Sequence, residues 1–253
     1  MATVHASPVA VRLDPRPVHR IGMIALATDL TSERDAARLL PPEVAMHTTR
    51  VPFENPTTPD TLRRLAGGLT GAADLLVPGL DLAAIIFSCT AASATIGDAA
   101  VRAAIQTARP GVPVVTPPDA ATQAFAALGV RRIALLTPYL PETTAPMVRY
   151  FQARGLTIVA AQCLGLADDR EMARVAPQTI LAAAEAVDTA DAEAVFLSCT
   201  ALPALGLIDA LEATLGKPVV SSNQASLWQA LGHAAVAIEG PGRLFAVPAS
   251  VPA

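Results

Sequence analysis

Short apolar runs alternate along the chain with longer alanine-rich stretches, and the two kinds of segment take turns from end to end. Apolar runs bounded by polar or glycine positions predict buried strands, and apolar residues at helical spacing predict helices. "RIGMIAL" (20–26), "VAMHTTRV" (44–51), "LAAIIFS" (82–88) and "VPVVT" (112–116) read as strands. Between them "TSERDAARLL" (31–40) reads as a helix opened by Thr31 or Ser32, with acidic residues in its first turn. A second helix over 58–76 is interrupted by Gly67 and Gly68, and a third lies near 93–107. The scheme then repeats. Helices are predicted at 119–129 (ended by Gly129), 143–155, 177–187, near 203–215 with Gly206 inside it, and 223–232. Strands are predicted at 131–137, 156–162, 192–198 and 217–222.

Strands alternating with helices predict an α/β fold with parallel sheets. The repetition predicts two similar lobes related by a pseudo-two-fold, with the active site in the cleft between them. The first lobe takes residues 20–116 and 223–253, and the second takes 117–222. Residues 1–19, with three prolines and mixed polarity, read as a loose N-terminal extension.

The repeat carries a chemical signature. "AIIFSCTAAS" (84–93) and "AVFLSCTALP" (194–203) each end a buried strand on a Ser-Cys-Thr triplet, and Cys199 follows Cys89 by 110 positions. Ligand sites in open α/β sheets lie beyond the carboxyl ends of the strands. Both triplets are expected there, each just before a helix, so that Cys89 and Cys199 meet across one cleft. A helix N-terminus favours the thiolate and is expected to lower a cysteine pKa. Ser88, Thr90, Ser198 and Thr200 beside the thiols can donate hydrogen bonds or cap the helices. Two thiols on opposite sides of a small substrate permit two-sided proton transfer, or attack at carbon by one of them. Free cysteine is often just a small buried hydrophobe, but duplication at matching strand ends argues for chemistry. Cys163 lacks the triplet and a partner, and reads as structural.

Composition narrows the classes. Hydrophobic residues are 52% of the chain and charged residues 16%, which suits a well-filled core. The net charge of −4 has no basic stripe, so no nucleic acid is expected as a partner. No run reaches the ~18 apolar residues of a membrane span, the first twenty residues do not read as a signal peptide, and no membrane partner is expected. Three cysteines without a disulfide framework suggest a reducing, cytoplasmic setting. His5, His19, His47 and His233 are scattered without ligand spacing, so no metal site is expected, and phosphate-binding loops are missing.

The ordered set "GMIALATDLTSERD" (22–35), "FSCTAAS" (87–93), "RRIALLTPYLPE" (131–142), "FLSCTAL" (196–202) and "SSNQASLW" (221–228) resembles the aspartate/glutamate racemase superfamily. The closer resemblance is to its branch of maleate cis–trans isomerases, arylmalonate decarboxylases and the ectoine-utilisation protein A group, over roughly residues 20–235. The resemblance implies an enzyme that needs no cofactor. It implies Cys89 as the nucleophile that adds to an alkene carbon, and Cys199 as the group that manages the proton. It implies Tyr139 as a substrate contact, with Thr28 and Asp29 after the first strand and Asp169 in "LADDREMARV" (166–175) as further substrate-binding candidates. In maleate isomerases asparagines hold the substrate carboxylates where this chain has Asp29 and Asp169. Two acids there would repel a dicarboxylate and favour a substrate with a carboxylate at one end and an amine or amide at the other. Either acid could instead cap the following helix.

The sequence supports three readings. The leading one is a cofactor-independent isomerase or racemase of a small carboxylate or amino-acid-like substrate. The second is a decarboxylase of the arylmalonate type, which keeps only the second cysteine. The third is a small-molecule binding module without catalysis, whose thiols would react slowly with iodoacetamide at neutral pH. A homo-oligomer is what the resemblance implies for assembly.

Overall fold

The strands at the centre of each sheet are apolar on both faces, which a sheet covered by helices on both sides requires. The computed structural model describes residues 2–249. In the first sheet, β1 (His19–Leu26) is flanked by β2 (Val44–Val51) and β3 (Ala84–Ser88), and β4 (Val114–Val115) pairs with β3. All pairings are parallel, giving the order β2-β1-β3-β4, with Ile24 level with Thr49 on one side and Phe87 on the other. The second sheet repeats this plan. It places β5 (Arg132–Thr137) between β6 (Thr157–Cys163) and β7 (Ala194–Leu197), with β8 (Val219–Ser221) beyond, in the order β6-β5-β7-β8. Each strand of the first sheet thus has its counterpart at the same place in the second. The outer strands β2 and β6 are only half-buried, which accounts for their polar positions.

The helices are α1 (Ser32–Leu39), α2 (Pro59–Arg64), α3 (Leu69–Asp74), α4 (Thr90–Ile96), α5 (Asp98–Ala108) and α6 (Pro117–Ala127). Then come α7 (Pro141–Gln152), α8 (Asp169–Met172), α9 (Pro177–Val187), α10 (Ile208–Leu215) and α11 (Ser222–His233). Helix α11 packs on α6, β3 and β4, and α6 also reaches β8, so this pair lies against both sheets. Among the described residues no helix is long and apolar enough to cross a membrane.

Several elements differ from the sequence reading. The segment 58–76 is two helices joined by a 3-10 turn at Leu65–Gly68. A Cβ at Gly68 would lie 2.5 Å from Val51 Cγ2, so glycine lets this turn press against β2. The helix expected near 93–107 begins earlier and breaks into α4 and α5 at Gly97, whose φ is 94°. Helix α8 and a 3-10 turn at Arg243–Ala246 were not anticipated.

The core of the second lobe centres on three rings. Phe196 of β7 meets Phe125 and Phe151 edge-on, with centroids 5.8 and 5.3 Å away. All three rings are fully buried. Phe196→Ala is expected to cost about 3–5 kcal/mol, read in urea denaturation as a lower midpoint at unchanged slope.

Candidate functional site

Both triplets sit where their strands leave the sheet, and the backbone beyond them differs. Cys89 is the N-cap of α4, in extended backbone (φ −153°). Cys199 does not lead into a helix: residues 200–202 form a turn, a 3-10 turn covers Leu205–Leu207, and α10 begins only at Ile208. Pro203 biases Leu202 away from helical backbone, which opposes a helix running on directly from Cys199. Cys199 itself has φ 139°, a region that L side chains rarely adopt. The expectation of two helix-mounted thiols therefore holds for the first only.

The triplet hydroxyls join the lobes. Thr200 Oγ1 donates to the Ser88 carbonyl at 3.1 Å. The Ser222 hydroxyl, at the start of α11, accepts from Thr90 Oγ1 at 2.8 Å and from the Cys199 amide at 3.0 Å. Ser88 Oγ lies 2.7 Å from Ser32 Oγ. Thr31 Oγ1 donates to the Ala201 carbonyl at 2.7 Å, and Asn223 Nδ2 reaches Asp35 at 2.8 Å and the Thr200 carbonyl at 2.9 Å. Ser198 Oγ is buried without a partner among the described residues.

Around the thiols lies a small closed cavity. Cys89, Cys199, Asp29, Asp169, Tyr139 and Thr200 line it, with Leu26, Ala91, Ala201 and Met172 as apolar wall and Thr57 at its edge. Its volume is about 20 Å³, room for roughly one water. Of the residues singled out in the sequence, these six meet. Thr28 reaches the cavity through Asp169, while Ser88, Thr90 and Ser198 sit behind it. Cys163 lies away from it at the end of β6, half-buried.

The two acids are held by the protein. Asp29 Oδ1 accepts the amides of Thr31 and Ser32 at 2.8 and 2.9 Å, and Oδ2 accepts the Ser32 hydroxyl at 2.6 Å. Asp29 thus serves the opening of α1, which Thr31 and Ser32 were expected to cap, while its carboxylate also borders the cavity. Burial pushes the Asp29 carboxyl above its ordinary range, against the pull of the Ser32 and Thr31 donors and Arg50. Asp169 accepts from Thr28 Oγ1, and from Asn55 Nδ2 at 2.7 Å. The same Asn55 amide reaches Asp168 at 2.9 Å, and Asn55 Oδ1 accepts the Asp169 amide at 3.1 Å. Asn55 therefore fastens α8 over the cavity, and Thr57 helps through its amide on the Ala167 carbonyl at 2.7 Å. Among the described residues no cation lines the cavity.

Burial also dominates the thiols. It raises Cys89 far above an ordinary thiol, outweighing the donor from Ala92 in the first turn of α4. Cys199 is pushed up to about 12 by burial, partly offset by the Tyr139 hydroxyl and the amides of Ala201 and Leu202. The expected lowering by a helix terminus is thus overturned, because loss of solvation outweighs one helix N–H. Tyr139 is raised by burial and lies against Cys199 and Thr90. Sequence reasoning missed Asn55 and Ser222, and it read Ser32 only as an opener of α1. The only available signals were a polar residue before proline in "FENPTTP" (53–59) and the doubled serine in "SSNQ" (221–224).

Two like lobes with strand-end thiols facing one enclosed cavity define a class of enzymes that work with side-chain sulfur. The model of the arylmalonate decarboxylase family matches residues 84–245, both cysteines included, and the chain belongs to that family. A maleate isomerase from Nocardia farcinica is 26% identical over 250 residues, covering 93% of this chain and 99% of the relative. An arylmalonate decarboxylase from Bordetella bronchiseptica is 36% identical over 140 residues, covering 53% of this chain and 58% of the relative. Among solved structures, a Cys→Ser mutant of the Nocardia farcinica maleate cis–trans isomerase carries a covalently bound succinylcysteine intermediate. It superposes with a TM-score of 0.83 at 25% identity, covering 90% of this chain and 98% of that one. The full-length relationship makes the chain an isomerase of this superfamily.

The resting thiols are neutral at pH 7, so slow reaction with iodoacetamide does not separate a binder from an enzyme. At neutral pH, Cys163 is expected to alkylate first. Cys199 should label about tenfold faster per pH unit up to its raised pKa, because only the thiolate reacts. Peptide mass spectrometry after timed labelling from pH 7 to 10 checks this; fast labelling of Cys89 and Cys199 at pH 7 would show ionised thiols.

Proposed function

We propose that the chain isomerises a small unsaturated carboxylate by reversible addition of the Cys89 thiol, with Cys199 handling the proton. The single observation behind this reading is the pair of strand-end thiols on one closed cavity. Cys89 sulfur bonds to one alkene carbon. The π electrons move to the neighbouring carbon, which takes a proton from Cys199. The Cys89 proton passes in turn to Cys199, so that one S–H has added across the double bond. The former double bond is now single and rotates. In the reverse step Cys199 gives its own proton to the departing Cys89 sulfur and takes the proton from carbon, while the C–S bond breaks and the double bond re-forms in the trans geometry. Nothing is consumed. The covalent succinylcysteine in the Nocardia farcinica enzyme is the adduct such an addition produces.

The thiols rest neutral and only a thiolate attacks, so Cys89 gives up its proton as it adds, and its passage to Cys199 keeps the pair neutral. Tyr139 next to Cys199 steadies that sulfur when it is ionised. Thr28, Asp29, Asp169 and Thr200 are assigned to substrate placement on the cavity side, and Ser88, Thr90 and Ser198 to support of the thiols behind it. The wall holds two acids and no cation. That favours a substrate with one carboxylate and an amine or amide at the other end, in keeping with the ectoine-utilisation resemblance. The carboxylate would then be met by backbone and hydroxyl donors near the triplets. We assign the first lobe to 20–116 with 223–253 and the second to 117–222; residues 250–253, and Met1 of the 1–19 extension, lie outside the described residues. A homo-oligomer in the cytoplasm completes this reading.

The test is NMR in D₂O with maleate, its monoamide, aspartate, glutamate and an arylmalonate. The monoamide should isomerise faster than maleate. Cys199→Ala should slow the reaction by about 10²–10⁴-fold, and Cys199→Ser should accumulate a substrate adduct on Cys89. Deuterium entering a stereocentre of an amino acid without any alkene product would replace isomerisation by racemisation. Release of CO₂ from the arylmalonate that survives Cys89→Gly would sink the reading in favour of the decarboxylase.

A further inference from the structure

A second recess lies outside the thiol cavity, between α2 and α4 on one side and α7 on the other. Its volume is about 390 Å³, and three arginines border it: Arg63, Arg149 and Arg154. The chain as a whole carries a net charge of −4, so this concentration of guanidinium groups runs against its surroundings.

Each arginine is held differently. Arg154 is fixed: its Nη2 donates to Asp98 Oδ2 at 2.6 Å, and its guanidinium lies over the Tyr150 ring at 3.5 Å. Asp98 is pinned from behind by Tyr150 Oη and Thr116 Oγ1, both at 2.6 Å. Arg63 pairs with Asp60 one turn back on its own helix at 2.5 Å. Arg149 has no hydrogen-bond or ion-pair partner among the described residues. Counting these two acids against the three arginines leaves a surplus positive charge, that of Arg149. A guanidinium carries five donors; the exposed Arg149 has none of its five paired among the described residues, and the exposed Arg63 gives one to Asp60. Arg102 and Asp119 pair nearby at 3.9 Å and do not line it.

We propose that this recess binds a small multivalent oxyanion, a polyphosphate or a polycarboxylate, by bidentate contacts from Arg149 and Arg63 against the fixed Arg154. Planar guanidinium groups suit such ligands better than lysines do. The site bridges the two lobes, because Arg63 follows the first sheet's β2 and Arg149 precedes β6 of the second. It also adjoins the cover of the thiol cavity. Helix α2 continues from the Asn55–Thr57 segment, and Thr143 of α7 donates to the Thr57 carbonyl at 2.9 Å. An anion holding α2 to α7 steadies that segment.

Isothermal titration of the full chain with pyrophosphate and, separately, with citrate tests the site, with sodium chloride matched for ionic strength. Saturable binding of one or the other at about one per chain is expected, and the tighter of the two assigns phosphate or carboxylate as the ligand chemistry. Arg149→Gln should weaken it about tenfold or more, while Arg149→Lys, which keeps the charge but not the fork, should weaken it less. Arg102→Gln, outside the recess, should leave it unchanged. Heats that sodium chloride reproduces, equal binding in Arg149→Gln, or loss in Arg102→Gln to the same degree would overturn the proposal.

Discussion

Burying polar groups at a seam between two lobes forces them to find partners there. That constraint organises this molecule. Each Ser-Cys-Thr triplet brings hydroxyls and amides into a buried region, where the two threonines are answered across the lobes and Ser88 is answered by Ser32 of its own lobe. The Ser222 hydroxyl is the meeting point, accepting from Thr90 of one triplet and from the Cys199 amide of the other. Thr200 closes the ring on the Ser88 carbonyl. The two sulfurs are held at one cavity by bonds that the hydroxyls beside them make. Apolar packing of each sheet would not fix that register by itself.

The electrostatics come from the same enclosure. Without water, charge is costly, and the thiols stay protonated although one begins a helix. Asp29 and Asp169 are each given donors, from the α1 amides and Ser32 in one case and from Asn55 and Thr28 in the other. The cavity is thus walled by hydrogen-bonded acids and buried thiols.

Much of the architecture was legible in the chain. The strand at 44–51 and the helix at 177–187 occur with the predicted bounds, because period and composition agree there. The duplicated triplets marked both sulfurs, and the order of strands in the second sheet repeats the first. The partners of the acids were not legible. Asn55 acts from a loop 113 and 114 positions before the residues it holds, and no local pattern encodes such a contact. Helix α8 has four residues, too few for periodicity to show. That no helix runs on directly from Cys199 was readable in principle from Pro203. The thiol pKa values were misjudged because a helix terminus is visible in sequence, whereas the depth of burial is a property of the whole fold.

The backbone at Cys199 bears on how such a chain can change over time. A positive φ suits glycine and strains any residue with a Cβ, at about 1–3 kcal/mol. Random substitution at this point therefore drifts toward glycine as the more stable answer, and the strand end would fold better for it. A side chain kept there means that stability has been yielded locally, with Ser222 and the Ala201 amide holding the turn in place. Position 199 is where the interests of the fold and of the sulfur are opposed.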